Sequence, residues 1–219
     1  MSEKLFISAQ SLLEDSWRLS VKILKDGFHP NFIVGVWRGG TPVGIAVQEM
    51  LDFYGVHTDH ISIRTSSYSG KTRLEAPVRV HGLDYLINNI NADDALLIVD
   101  DVYDTGLSVQ GVMNTLKSKA RRNAPSEIRI ATPYFKPSKN RTSLTPHYYI
   151  HETDQWLVFP HEIDGVNRTE MAEYKPGLIP FVDEMDKYYK KQTSKNKSPK
   201  NNLPKSNSPS NKLDGQTST

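Results

Sequence analysis

The stretch ALLIVDDVYDTGLS, Ala95 to Ser108, decides the fold class of this protein. It begins as an apolar run, continues through two adjacent aspartates and a third, and reaches a Thr-Gly turn in front of a helical pattern. A short apolar run bounded by turn residues predicts a buried strand, and the apolar spacing that follows predicts a helix. A strand that ends on carboxylates and turns directly into a helix is typical of the ligand-binding edge of a parallel sheet.

Strand and helix patterns alternate on both sides of this stretch, which predicts βαβ units. The predicted strands are NFIVGVW (31–37), HISIRT (60–65), ALLIVD (95–100), SEIRIATPYF (126–135) and HYYIHE (147–152). The predicted helices cover 12–27, 41–55, 81–90 and 107–122. Ser11 and Glu14 have the spacing of a capping box at the head of the first helix. The expected fold is therefore α/β, a Rossmann-like and largely parallel five-stranded sheet with helices on both faces.

Length and composition favour one main domain, placed at residues 1–190. The 219 residues are 37% hydrophobic and 24% charged, enough for one sizeable core. No apolar run approaches the roughly eighteen residues of a membrane span, and the start lacks the pattern of a secretory signal. We therefore expect a cytoplasmic protein that does not contact membranes. The absence of cysteine excludes disulfides and thiolate metal sites.

The last 29 residues, 191–219, differ in composition from the rest. They hold six of the 27 basic residues and one of the 25 acidic residues, so the remainder of the chain is slightly acidic. Their large apolar residues are Leu203 and Leu213, too few to offset the loss of chain entropy on folding. The segment is predicted to be a disordered basic tail. A solvated extension is favoured over a contact with nucleic acid.

Two strand-to-helix turns have the chemistry of anion sites. Arg38-Gly39-Gly40 combines a cation with two residues that let backbone N–H groups approach an anion closely. Asp104, Thr105, Gly106, Leu107 and Ser108 surround a helix N-terminus, whose free N–H groups and dipole favour phosphate. Two such loops suggest a ligand with two phosphate groups.

The acidic pair Asp100-Asp101 lies between these two turns in the sequence, at the end of a predicted strand. Carboxylates at a strand end accept hydrogen bonds from the vicinal hydroxyls of a sugar and help to hold hydrated Mg²⁺. The alternative interpretation is that the two aspartates only form a turn or cap a helix.

The stretch LLIVDDVYDTGLS, 96–108, closely resembles the phosphoribosyl-pyrophosphate (PRPP) signature of the type I phosphoribosyltransferases, with Ser108 where Thr is usual. The resemblance spans roughly residues 5 to 165. It implies that Asp100 and Asp101 bind the ribose hydroxyls of PRPP and a Mg²⁺ ion. It further implies that residues 104–108 cradle the 5′-phosphate and that Arg38, Gly39 and Gly40 form the pyrophosphate loop. A small hood, from the N-terminal segment and about 150–180, and a mobile lid loop are also expected.

Smaller features resemble the members of this family that act on 6-oxopurines. Asp104 stands where adenine-specific relatives usually have Ala, which points to hypoxanthine, guanine or xanthine. Ser67-Tyr68, within the polar stretch 64–80, is similar to the Ser-Tyr pair of the lid that closes over the reacting centre. An ordinary flexible loop is the alternative interpretation of that stretch.

The segment DQWLVFPHE, 154–162, resembles the base-binding segment of the same enzymes. The resemblance places Trp156 over the purine ring and the main chain near Leu157 at its 2-position, while Lys136 donates to the 6-oxo group. Without the family context, Trp156 is more often a core residue. His161 departs from the pattern, because relatives commonly have Trp there. Glu162 stands at an acidic position that could hold a second Mg²⁺.

The implied activity is Mg²⁺-dependent transfer of the 5-phosphoribosyl group from PRPP to a 6-oxopurine, which yields a nucleoside monophosphate and pyrophosphate. Asp104, Ser67 and Tyr68 are the expected catalytic residues, with helix capping as the alternative for Asp104. The resemblance also implies a homodimer or homotetramer. The other hypotheses are a regulatory or nucleotide-binding protein of the same fold, an enzyme for a different base, and a PRPP synthetase, which typically needs a longer chain.

Overall fold

A computed structural model describes residues 4–66 and 78–196 of the chain. Ser67, Tyr68 and most of the predicted lid lie outside the described residues, as does most of the predicted tail. The chain divides into two compact units, Met1–Asn167 and Arg168–Thr219. The predicted domain over residues 1–190 stays a prediction.

The described strands and helices follow the predicted alternation. In chain order the strands are β1 (Lys4–Phe6), β2 (Phe32–Trp37), β3 (Asp59–Ser66), β4 (Arg79–His81), β5 (Ala95–Val99), β6 (Val102–Tyr103), β7 (Glu127–Phe135), β8 (Tyr148–Glu152) and β9 (Trp156–Val158). The helices are α1 (Ala9–Lys25), α2 (Gly40–Phe53), α3 (Asp84–Asn89), α4 (Leu107–Ala120), α5 (Arg168–Tyr174) and α6 (Ile179–Asn196).

The main sheet of the first unit has seven described strands in the order β4-β3-β2-β5-β7-β6, with β8 also paired to β7. All of its pairs are parallel except β3 with β4. The predicted α/β fold with a largely parallel sheet is confirmed, and all five predicted strands are present. The predicted strand number was too low, because β4 and β6 have three and two residues and are too short for a periodic pattern.

Apolar side chains cover both faces of this sheet. Ile33 and Leu97 point into a cluster with α1 and α2, whereas their neighbours Val34 and Ile98 point into a cluster with α4. Successive residues of a strand face opposite sides, so a parallel sheet with helices on both faces needs continuous apolar runs. This explains why FIVGVW and ALLIV show no alternation.

Helix α1 begins earlier than predicted. Its N-cap is Ser8, whose side chain accepts a hydrogen bond from the backbone N–H of Ser11 at 3.0 Å. Glu14 accepts instead from the side chain of Gln10 at 2.9 Å. The predicted capping box of Ser11 and Glu14 was therefore wrong. Ala9 and Gln10 are good helix formers and extend the helix by most of a turn.

Strands β1 and β9 form a separate two-stranded parallel sheet, in which Lys4 pairs with Trp156 and Leu5 with Leu157. The N-terminal segment and the segment around 156–158 thus lie together, as expected for the hood. The predicted continuation of the hood to about residue 180 stays a prediction.

The second unit contains α5 and α6. Within it, Arg168 donates to Asp183 and to Asp186 at 2.7 Å each. Helix α6 continues to Asn196, so the first six residues of the predicted disordered tail are helical. None of the described helices has the length and apolarity needed to cross a membrane.

Candidate active site

Three neighbouring strands, β2, β5 and β7, bring three groups of the predicted site residues to one edge of the sheet. Arg38 follows β2, the acidic pair follows β5, and Lys136 follows β7. Since the strands are parallel and adjacent, their carboxyl ends meet at the same edge. The residues that the sequence analysis singled out on separate turns are thus brought together.

The pyrophosphate loop, Arg38–Gly40, lies directly against the acidic pair. A Cβ atom on Gly39 would be 1.7 Å from Oδ2 of Asp101, and one on Gly40 would be 2.3 Å from the carbonyl oxygen of Val99. The obstructing atoms at Gly40 are backbone atoms, so only glycine fits there, whereas a Cβ at Gly39 would displace the Asp101 carboxylate. The Trp37–Arg38 peptide is cis, and Arg38 is exposed.

The two carboxylates of the acidic pair affect each other. Desolvation beside the strand end, together with the charge of Asp101, raises the pKa of Asp100 well above its ordinary value. The backbone N–H of Asp101 donates to Oδ1 of Asp100 at 3.0 Å, which partly offsets this effect. A pair of this kind is stabilised by hydrogen-bond donors or a cation, which sugar hydroxyls and Mg²⁺ provide.

The phosphate loop, Asp104–Ser108, leads into the N-terminus of α4. Gly106 caps the helix with φ of +76°, a conformation that a residue with a Cβ adopts at a cost. A cavity of about 70 Å³ is lined by this loop and by Asp100. Thr65, at the end of β3, donates to the hydroxyl of Ser108 at 3.4 Å. The first N–H groups of α4 are the natural ligands of a phosphate placed here.

A polar network that the sequence analysis missed supports the phosphate loop. The hydroxyl of Tyr103, a 1% exposed residue, lies 3.1 Å from Oγ1 of Thr142 and donates to the carbonyl of Leu144 at 3.1 Å. The backbone N–H of Arg141 donates to the carbonyl of Thr105 at 3.0 Å. The polar run after β7 gives no periodic signal, so sequence alone did not connect it with this loop.

Asp104 and Lys136 lie close enough for the charge of Asp104 to affect the pKa of Lys136. Oδ1 of Asp104 is buried and has no hydrogen-bond partner. The cap of α4 is Gly106, with no side-chain capping bond, so the alternative of Asp104 as a helix cap is wrong. Lys136 is 6% exposed; burial lowers its pKa, and the charge of Asp104 opposes that shift. A buried carboxylate oxygen without a hydrogen-bond partner is expected where a bound ligand supplies the donor.

The base segment, Asp154–Glu162, places its aromatic residue at the surface. Trp156 is 60% exposed, so its alternative interpretation as a core residue is wrong, whereas Leu157 is buried. Oε2 of Glu162 accepts from the backbone N–H of Phe159 at 3.0 Å, and thus closes the turn of its own segment. A role for Glu162 in metal binding stays a prediction. The imidazole of His161 contacts Asp101 across the site.

The described residues contain no group of three or more side chains that could hold a metal ion by themselves. The oxygens of Asp100 and Asp101 nevertheless suit Mg²⁺, which commonly binds through one or two carboxylates and completes its shell with water and substrate phosphates. The donor set therefore fits a metal ion that arrives with a phosphorylated substrate.

Comparisons with known proteins agree with this geometry. The family model of the phosphoribosyl transferase domain matches residues 8–164. This chain belongs to the phosphoribosyltransferase family. The purine phosphoribosyltransferase of Pyrococcus horikoshii is 26% identical, with a TM-score of 0.57, over 75% of this chain and 98% of its own.

Two further solved structures share the fold at lower identity. The xanthine-guanine-hypoxanthine phosphoribosyltransferase of Helicobacter pylori is 21% identical over 74% of this chain and 96% of its own, with a TM-score of 0.59. A Neisseria gonorrhoeae protein with bound ppGpp is 15% identical over 81% of this chain and 98% of its own, with a TM-score of 0.60. All three comparisons leave a part of this chain unmatched.

Proposed function

We propose that this protein transfers the 5-phosphoribosyl group of PRPP to a 6-oxopurine base. The observation that carries the proposal is the juxtaposition of Asp104 and the buried Lys136 beside the acidic pair. The first group can accept a proton from a base, and the second can donate a hydrogen bond to a carbonyl oxygen of that base. The likeness to the Pyrococcus purine enzyme supports a purine as the acceptor.

In this proposal the phosphate groups of PRPP occupy the two loops. The N–H groups of the phosphate loop and the hydroxyls of Thr105 and Ser108 bind the 5′-phosphate. Arg38 and the backbone of the pyrophosphate loop bind the leaving pyrophosphate, while the acidic pair accepts hydrogen bonds from the ribose. Bound Mg²⁺ would neutralise charge on the pyrophosphate. Ser67 and Tyr68, outside the described residues, keep their predicted role in the lid.

In the proposed reaction one bond forms at C1′ of the ribose, one bond breaks there, and Asp104 takes up a proton. A ring nitrogen of the purine forms the new bond to C1′ of the ribose, and the bond from C1′ to the pyrophosphate oxygen breaks. The electron pair of that bond leaves with the pyrophosphate. The proton of the attacking nitrogen goes to Asp104. Lys136 and Trp156 hold the base in line with C1′, which lowers the entropic part of the barrier.

Release of pyrophosphate from PRPP tests the proposal. The full-length protein with Mg²⁺ is incubated with hypoxanthine, guanine, xanthine, adenine, uracil or orotate in turn. The expected result is rapid release with at least one 6-oxopurine and little with the other three bases. Preference for adenine or a pyrimidine would refute the 6-oxopurine assignment. Binding of nucleotides without turnover of any base would favour a regulatory protein of this fold.

A further inference from the structure

His161 makes a contact that nothing in its sequence pattern requires. Its Nε2 atom lies 3.3 Å from Oδ2 of Asp101, one of the two carboxylates of the acidic pair. The side chains are 28% and 12% exposed, so solvent only partly screens the contact. The base segment, which carries Trp156 and Glu162, is thereby joined to the part of the site that faces the sugar.

The turn that carries His161 is braced by its own contacts. Glu162 and Phe159 exchange hydrogen bonds, from the backbone N–H of Phe159 to Oε2 of Glu162 and from that of Glu162 to the carbonyl of Phe159, both at 3.0 Å. The imidazole stacks on the ring of Phe159 with 5.6 Å between centroids and 11° between planes. Because Phe159 is 2% exposed, the imidazole rests on a ring that is fixed in the core.

The Asp101 carboxylate is confined from two directions. Gly39 of the pyrophosphate loop lies so close that a Cβ there would be 1.7 Å from Oδ2, and His161 contacts the same Oδ2 atom. The charge of Asp101 helps to raise the pKa of Asp100, the preceding residue. The contact of the imidazole with Oδ2 restricts the position of this carboxylate from the side of the base segment.

We infer that His161 is a positioning residue for PRPP binding, which holds Asp101 in the orientation that accepts the ribose hydroxyls. This inference rests on the proposed function, because it assumes that the acidic pair meets the ribose of PRPP. It assigns to the base segment a second role, in the site for the other substrate. His161 acts through Asp101 and does not itself contact the reacting atoms.

Three variants of the full-length protein separate this role from a purely structural one. His161→Phe keeps the stacking surface but removes the ring nitrogen that contacts Asp101, and His161→Gln restores a nitrogen at a similar distance from the backbone. His29→Phe alters an exposed histidine just before β2, at the opposite edge of the sheet, and serves as the control. PRPP affinity is measured by calorimetric titration in Mg²⁺, and both Michaelis constants, kcat and Tm are determined.

We expect the substitution of His161 to weaken the binding of PRPP and not that of the base. His161→Phe should raise the dissociation constant of PRPP about tenfold, as expected when a charged group that binds the ligand loses a polar contact that positions it. The Michaelis constant of the 6-oxopurine and Tm should stay at the values of the wild type. His161→Gln should recover most of the PRPP affinity, and His29→Phe should resemble the wild type throughout.

Other results would overturn the inference. Equal PRPP affinity in His161→Phe and the wild type would show that the contact does not position Asp101. Equal losses in the Phe and Gln variants, or losses for both substrates together with a lower Tm, would show a packing role. Failure of the wild-type protein to bind PRPP would refute the proposed function itself, a result distinct from failure of the variants to differ.

Discussion

At the scale of single residues, the site depends on charges that the fold keeps out of water. Oδ1 of Asp104 is buried without a hydrogen-bond partner, and Lys136 is almost fully buried beside it. Burial lowers the pKa of Lys136, and the charge of Asp104 opposes that shift. Substitutions that remove the charge of Asp104 or Lys136 but keep the size of the side chain should therefore reduce activity more than they reduce Tm.

The substitution Asp104→Asn tests the carboxylate as a proton acceptor. Asn has the same shape but cannot take up a proton, and general-base catalysis commonly contributes about 10²–10⁴-fold. Turnover should therefore fall by at least about tenfold, while PRPP affinity and Tm stay near the wild type. Steady-state kinetics with the best 6-oxopurine give the turnover number. Asp84→Asn, on an exposed aspartate of α3, is the control, and normal turnover in Asp104→Asn would exclude the assigned role.

The substitution Lys136→Met tests recognition of the base. Met keeps most of the apolar length of the buried side chain but removes the ammonium group. Loss of a hydrogen bond from a charged donor corresponds to about 1.5–3 kcal/mol, or roughly ten- to a hundredfold in affinity. The Michaelis constant of the 6-oxopurine should rise by this factor and that of PRPP should change little. Lys139→Met, which changes an exposed neighbouring lysine, is the control and should leave both Michaelis constants unchanged. Equal increases of the two Michaelis constants in Lys136→Met would indicate a structural role for Lys136.

At the scale of elements, the site is built from loops that adjacent strands place against each other. The pyrophosphate loop follows β2 and the acidic pair follows β5, and the pairing of Gly35 with Val99 holds these strand ends level. The two loops are so close that a side chain larger than that of glycine at position 39 would push against the Asp101 carboxylate. Glycine is needed there for the space around its α-carbon, whereas at Gly106 it is needed for its positive φ.

The substitution Gly39→Ala should disrupt this contact. The added Cβ would lie 1.7 Å from Oδ2 of Asp101, so either the loop or the carboxylate must move. PRPP binding, measured by calorimetry, should weaken by at least about tenfold, as expected when a ligand loses a well-placed charged contact.

Gly44→Ala in α2 is the matched control. The nearest atoms to its added Cβ would be 3.9 and 4.0 Å away, which is ordinary packing. Alanine is favoured over glycine in a helix by about 0.5–1 kcal/mol, so Tm should stay the same or rise slightly. Unchanged PRPP affinity in Gly39→Ala would mean that the two loops separate at no cost.

At the scale of the whole molecule, the family domain accounts for only part of the chain. The family match ends at residue 164 and the first compact unit at Asn167, and every described candidate site residue lies within that unit. The second unit begins at Arg168, and the site as described draws no residue from it. Its helix α6 extends into the segment whose composition suggested disorder, because helix propensity continues through Lys191 and Gln192.

Truncation after Asn196 should leave both Tm and turnover nearly unchanged. The removed segment holds Leu203 and Leu213 as its only large apolar residues, so its loss removes little buried surface. Differential scanning calorimetry and pyrophosphate release measure the two quantities. A drop of several degrees in Tm would show that the segment docks on the folded protein. Loss of nucleic-acid binding at low salt, with turnover intact, would instead assign it an electrostatic role.

The features that depend on residues close together in the chain were determined by the sequence itself. The five main strands, the helices between them and the Asp-Asp-x-x-Asp-Thr-Gly order of the site depend on periodicity and on neighbours a few residues apart. Contacts between distant segments were decided only by the tertiary structure, because they depend on strand order and close approach. These include Gly39 against Asp101, the support of Tyr103 by Thr142, and the exposure of Trp156. The contact of His161 with Asp101 belongs with them, since 60 positions of chain separate two residues that the parallel sheet and the hood bring within 3.3 Å.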